Sequence, residues 1–217
     1  MWGEFIFSLL IIILIVLSII YIFKDSLRNI YIGFRKNSRI RNKIKKLVRE
    51  NDYLYLHDLC LRLDAGKYIN VDHVIIADKY IYVIEPKFWL GYILGNEEDV
   101  KWLLNDGSGT VYVENPLRNT RFKIKILANV LEISNDNFVN MVCIADCGKI
   151  KEVNIKDNTC KVLGEKETLS YILEKEKHAR INVYKSEEIE RIASKLYDYH
   201  KASLEDKAYY QKHKNKY

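Results

Sequence analysis

Apolar positions in this chain fall into one long uninterrupted run, then into segments of helical spacing and of alternation. Phe5 to Phe23 (FIFSLLIIILIVLSIIYIF) holds no charge, Gly or Pro. As a helix it is about 28 Å long, close to a bilayer's hydrocarbon thickness. No basic residue precedes it and no small-residue cleavage pattern follows, which argues against a signal peptide. A retained transmembrane helix is the expectation. Beyond it, Leu27, Ile30, Tyr31 and Phe34 have helical spacing. A second set, Ile40, Ile44, Leu47 and Val48, predicts a helix capped by Ser38 and running through Arg49.

Asp52 to Leu63 alternates and predicts a strand, with His57 as an ordinary strand residue. Asn70 to Ala77 and Tyr80 to Lys87 predict a hairpin about Asp78-Lys79. Strands are expected at Tyr92 to Leu94, Val100 to Leu104 and Thr110 to Val113, the last two joined by the Asp106-Gly-Ser-Gly109 turn. Asn115 caps a helix with Pro116 at its first position. Leu117, Ile124, Leu127, Val130 and Leu131 form that helix's buried stripe; Arg118, Arg121, Lys123 and Lys125 read as a solvated basic face. Phe138 to Ala145 reads as a central strand, and Glu152 to Ile155 and Cys160 to Leu163 as shorter ones. Lys166 to Lys177 and a segment from Ser186 are helical, and Ala202 to Tyr217 reads as a helical tail or interaction segment.

Charge alters the first impression of a basic protein. The formal net charge is +6, but Lys24 to Glu50 alone carries +8, leaving the body from Asn51 onward close to neutral. The basic excess is therefore expected to meet anionic lipid headgroups and to keep its side of the span cytoplasmic. Cys60, Cys143, Cys147 and Cys160 show no zinc spacing and read as buried thiols of a reducing compartment. The expected organisation is an anchor over 1–23, a basic neck over 24–50, one α/β domain over 51–200 and a tail over 201–217. The expected location is the cell membrane, single-pass, with the domain on the cytoplasmic side.

The candidate chemistry lies on the hairpin. Glu85 and Lys87 project to one side of their strand, with Pro86 between them. Should Asp72 meet Glu85 across the pair, two carboxylates stand beside one ammonium. Such a pair repels unless a cation or proton intervenes. Mg²⁺ suits these oxygen ligands, and water activated there could attack a phosphodiester, with Lys87 orienting it or stabilising charge. The same residues also fit a plain ion-pair patch of Lys87 with Glu85 or Asp72.

Several residues in order resemble the nuclease-related domain family: Val71-Asp72-His73, Ile84-Glu85-Pro86-Lys87, Trp89, Gly91, Gly95, Trp102 and Asn115-Pro116-Leu117. The resemblance spans roughly Leu47 to Ile133. It implies a PD-(D/E)xK nuclease-like fold, here one mixed, restriction-endonuclease-like sheet flanked by helices. It implies Asp72 and Glu85 as metal ligands, Lys87 and Asn119 as catalytic partners, Mg²⁺ as cofactor, and DNA as substrate. Two departures stand out. The family's acidic residue on the helix before the first strand has no counterpart in Lys36 to Lys46, and Asn119 takes the place of a Gln. A membrane-tethered nuclease and a catalytically degenerate relative that binds nucleic acid or protein both remain open.

Overall fold

The computed structural model describes residues 9, 11–19, 21, 38–64, 66–105, 107, 109–145, 148–179 and 184–213. The chain divides between Arg39 and Ile40 into two units. Of the first, only 9, 11–19, 21, 38 and 39 are described.

The transmembrane helix expected over Phe5 to Phe23 is corrected. Among the described residues no helix is long and apolar enough to cross a membrane. The remainder of the anchor and residues 24–37 of the basic neck lie outside the described residues. The membrane partner and the single-pass location rested on that span and fall with it.

Helix α1 (38–50), in the second unit from Ile40 onward, precedes strands β1 (Leu54–Asp64), β2 (Lys67–Ile76) and β3 (Ile81–Lys87). Strands β4 (Gly91–Asn96), β5 (Lys101–Asn105) and β6 (Thr110–Glu114) lead to helix α2 (Pro116–Leu131). Then come β7 (Phe138–Ile144), β8 (Gly148–Asn154), β9 (Cys160–Gly164), α3 (Glu165–His178) and α4 (Ser186–His213).

The single mixed sheet of the expectation is two sheets, ordered β1-β2-β3-β7-β9 and β6-β5-β4-β8. The reason lies in two neighbouring strands. β3 and β7 run parallel in the first sheet as far as the pair Lys87 and Ile144, then continue as the parallel pair β4 and β8 of the second. Glycines mark both crossings. Gly91 has φ +86°, where a side chain would be strained. A Cβ on Gly148 would lie 2.7 Å from the Trp89 carbonyl oxygen.

Burial follows the alternation. On one face of the first sheet Val74, Ile76, Ile81 and Val83 pack with Ile124 and Leu127 of α2 and Ile192 and Leu196 of α4. On the other, Ile75, Tyr82, Ile84, Val139 and Met141 pack with Ile40 and Ile44 of α1 and Ile172 of α3. All seven residues of β7 are buried, as a strand covered on both faces requires. Cys60, Cys143 and Cys160 are buried thiols outside any disulfide.

The tail expected from Ala202 continues α4 as far as His213, and this part of α4 has a structural duty. His200 Nδ1 accepts the Cys60 N–H at 2.8 Å and Ser203 Oγ accepts the Arg62 N–H at 3.1 Å. The Tyr199 hydroxyl donates to the Arg62 carbonyl at 2.9 Å. These are outward-facing groups of the edge strand β1, and α4 closes them to other strands.

Candidate functional site

The site grows from the β2–β3 register. His73 pairs with Ile84 at the end of the ladder, so Asp72 and Glu85 face each other one step beyond it. Alternation sends both toward the α2 side, while His73 goes to the opposite face. Glu85, only 6% exposed, accepts from three donors. Lys87 Nζ lies 2.6 Å from its Oε1, Thr120 Oγ1 donates to Oε2 at 2.8 Å, and Lys123 Nζ stands 3.1 Å from Oε2. The same Lys123 ammonium lies 3.3 Å from Asp72 Oδ2. It therefore sits between the two carboxylates.

Helix α2 supplies these new partners because of how it starts. Asn115 accepts the Leu117 N–H at 2.9 Å, and its amide donates to the carbonyls of Glu97 (2.9 Å) and Asp99 (2.7 Å). This cap fixes where the first turn begins. Thr120 and Lys123, three apart, then share the face over β3. Thr120 Oγ1 also bonds the Pro116 carbonyl.

Electrostatics separate the two acids. Burial pushes the Asp72 carboxyl up, and Lys123 offsets this only in part. Burial also acts on Glu85, but Lys87 and Lys123 together outweigh it and hold that carboxyl below its usual range. Glu85 is thus the more firmly ionised. Lys87 also lies over the Trp89 ring, 5.6 Å from its centroid.

Of the residues singled out from sequence, Asp72, Glu85 and Lys87 come together. Asn119 lies elsewhere: its amide donates to Glu114 at 3.4 Å. Thr120 and Lys123 carried no sequence signal beyond lying three apart on a helix. Lys123 had been assigned to the solvated face; its side chain is only 17% exposed. Arg121 is likewise engaged, pairing with Glu97. Helix α1 brings a cation, not an acid, toward this end of the sheet. Arg41 pairs with Asp58 at 2.5 Å. Asp58 is a left-handed residue, φ +54°, that β1 leaves unpaired between His57 and Leu59.

The remaining motif residues pack. Trp102 is fully buried and donates from Nε1 to the Asn96 carbonyl at 2.9 Å. A Cβ on Gly95 would stand 2.3 Å from its ring.

Two oxygen ligands that both reach one cationic point fit a hard divalent ion. The Lys123 ammonium occupies that point. A second group, Glu97, Asp157 and Cys160, also places ligand atoms within 4.8 Å of one another. Arg121 already pairs with both carboxylates, and Glu97 Oε2 accepts the backbone N–H groups of Lys156 and Asp157 at 2.9 and 3.0 Å. Burial pushes the Cys160 thiol up to about 11, which leaves it protonated at neutrality and a poor ligand.

A model of the nuclease-related domain family matches residues 32–145. An uncharacterized protein of Bacillus anthracis is 24% identical over 123 residues, a match covering 55% of this chain and 58% of that protein's length. The crystal structure of a protein of unknown function, AF1548, matches at 16% identity over 78% of this chain and 94% of that one, with a TM-score of 0.26. The family match takes in β1 through β7, including the paired carboxylates, the Lys87 strand and the Asn115 cap, and the chain belongs to the nuclease-related domain family.

Proposed function

We propose that this protein is a divalent-metal-dependent nuclease acting on DNA, with Asp72 and Glu85 as the metal ligands. One observation carries the reading: both carboxylates converge on a single cation position, with the Lys87 ammonium against Glu85. A divalent ion bound there, Mg²⁺ in this reading, would lower the pKa of water and polarise a phosphoryl oxygen. The chain's own residues do the rest. Glu85, ionised and held by Thr120, keeps one ligand oxygen in place. Lys87 orients the attacking water and offsets charge gathering on the phosphate. Asp72, at 37% side-chain exposure, keeps the position open to a strand arriving from solvent.

The test is cleavage of plasmid and linear DNA by the purified full chain in Mg²⁺ or Mn²⁺. Glu85→Ala should lose at least about 10²-fold in rate, the scale of removing one group that stabilises the transition state. Unchanged cleavage by Glu85→Ala rules the assignment out.

A second reading, a degenerate relative that binds nucleic acid without cutting it, draws on Lys123. The two carboxylates are already neutralised by two ammonium groups. Among the described residues, no third His, Cys, Asp or Glu joins these two in a cluster of potential ligand atoms within 4.8 Å of one another. Retained DNA binding with no metal uptake selects that reading.

A further inference from the structure

The identity and position of Lys123 are not explained by packing. It lies beyond Thr120 on α2, a helix with no acidic residue, and its ion pairs among the described residues are with Asp72 and Glu85. Lys87 already neutralises one carboxylate from its own strand. The second ammonium therefore balances the site completely, two positive charges against two negative. A divalent ion arriving while Lys123 remains in place would meet an ammonium 3.3 and 3.1 Å from the same two carboxylates.

We infer that Lys123 is a resident counter-ion that blocks cation loading, and that a divalent ion binds Asp72 and Glu85 only by displacing it. This deepens the proposed function, because it rests on Asp72 and Glu85 as the ligand pair. The lysine stem is flexible enough to swing its ammonium outward while α2 stays fixed. The displaced ammonium then lies at the mouth of the site, where a phosphate of the incoming strand would be. A phosphate that holds Lys123 outward favours the metal, and the metal favours the phosphate, so the two bind with positive coupling.

The experiment measures Mn²⁺ affinity by calorimetry on the full chain, with no nucleic acid present. Lys123→Met keeps the apolar stem and removes the charge; Lys123→Arg keeps the charge. The expected result is that Lys123→Met binds Mn²⁺ at least about tenfold tighter than the native chain, equivalent to about 1.4 kcal/mol. Lys123→Arg should stay within about threefold of it, since the competing cation is retained. Thermal melts give a second readout. In EDTA, Lys123→Met melts below the native chain, because two carboxylates then share only Lys87. Mn²⁺ then raises its melting temperature more than it raises that of the native chain. The double variant Lys123→Met, Glu85→Gln should lose the gain, which ties it to this site.

Equal or weaker Mn²⁺ binding by Lys123→Met overturns the inference, as does the absence of Mn²⁺ binding to either protein. The hydrolase reading fails separately. A gain in affinity with no cleavage by any variant supports the counter-ion and removes the nuclease. Cleavage by the native chain with no gain in Lys123→Met does the reverse.

Discussion

The Lys123 ammonium lies 3.3 Å from Asp72 and 3.1 Å from Glu85, so a helix residue joins two carboxylates that face each other across a strand pair. The arrangement depends on how α2 is seated over β3, and Thr120 is the other contact that seats it. Its hydroxyl, fully buried, joins Glu85 to the Pro116 carbonyl. Thr120→Val keeps the shape and removes the bond. It should cost about 1–2 kcal/mol of stability in urea denaturation. DNA cleavage should fall by about tenfold or more, because Glu85 loses the donor that orients Oε2, the oxygen that also meets Lys123. Asn119→Ala, one position earlier, removes only a long bond to Glu114 and should leave both measurements within about twofold.

The hairpin was legible because its signal is local. A period of two and a short turn fix which residues share a face, and Asp72, Glu85 and Lys87 follow from that. Thr120 and Lys123 come from a helix more than thirty residues downstream. A basic residue on an amphipathic helix looks the same in sequence whether it meets water or a pair of carboxylates. The split into two sheets was hidden for a related reason: nothing local at Gly91 or Gly148 shows that two parallel strands leave one sheet together there and enter another. The anchor rests on an uninterrupted apolar run, but among the described residues no helix is long and apolar enough to cross a membrane. That is where the reading from Phe5 to Phe23 failed.

The edge of β1 offers a test of the role of α4. His200 and Ser203 accept N–H groups of Cys60 and Arg62 that no strand pairs. His200→Ala and Ser203→Ala should each lower stability by about 1 kcal/mol, read as the shift of the urea midpoint. With both changed, the exposed edge should raise concentration-dependent association on size-exclusion chromatography. A double variant as stable and as monodisperse as the native chain would show that α4 does not protect this edge.

Gly95 tests whether the tryptophan-glycine pattern of the family is packing or chemistry. Its absent side chain is replaced by the face of Trp102, whose ring atoms would lie 2.3 to 2.8 Å from a Cβ. Trp102 is fully buried and anchored to Asn96, so it has little room to withdraw. Gly95→Ala should lose about 1–3 kcal/mol, as overpacked cores do. Metal affinity at Asp72 and Glu85 should be unchanged in protein that remains folded, measured by Mn²⁺ calorimetry at a temperature below the unfolding transition.

His73 predicts how stability varies with pH. It is 0% exposed, and its Nδ1 shares a hydrogen bond with the Tyr55 hydroxyl at 2.8 Å, while Nε2 has no partner among the described residues. Burial lowers its pKa from 6.5 to about 4. Between those two values the unfolded chain binds a proton at this position and the folded chain does not. Stability therefore rises with pH across that window and is lost as pH falls from 6.5 toward 4, by at most about 3 kcal/mol for this group. Glu85 acts in a lower range: its depressed carboxyl adds stability that is present above its ordinary 4.5 and disappears below it. The two contributions are separable by substitution. His73→Gln should flatten the rise between about pH 4 and 6.5 in urea titrations, at some cost in stability at pH 7 from the lost Tyr55 bond. A slope unchanged by His73→Gln would mean that His73 titrates in the folded protein much as it does in the unfolded chain, against the burial that the sheet imposes on it.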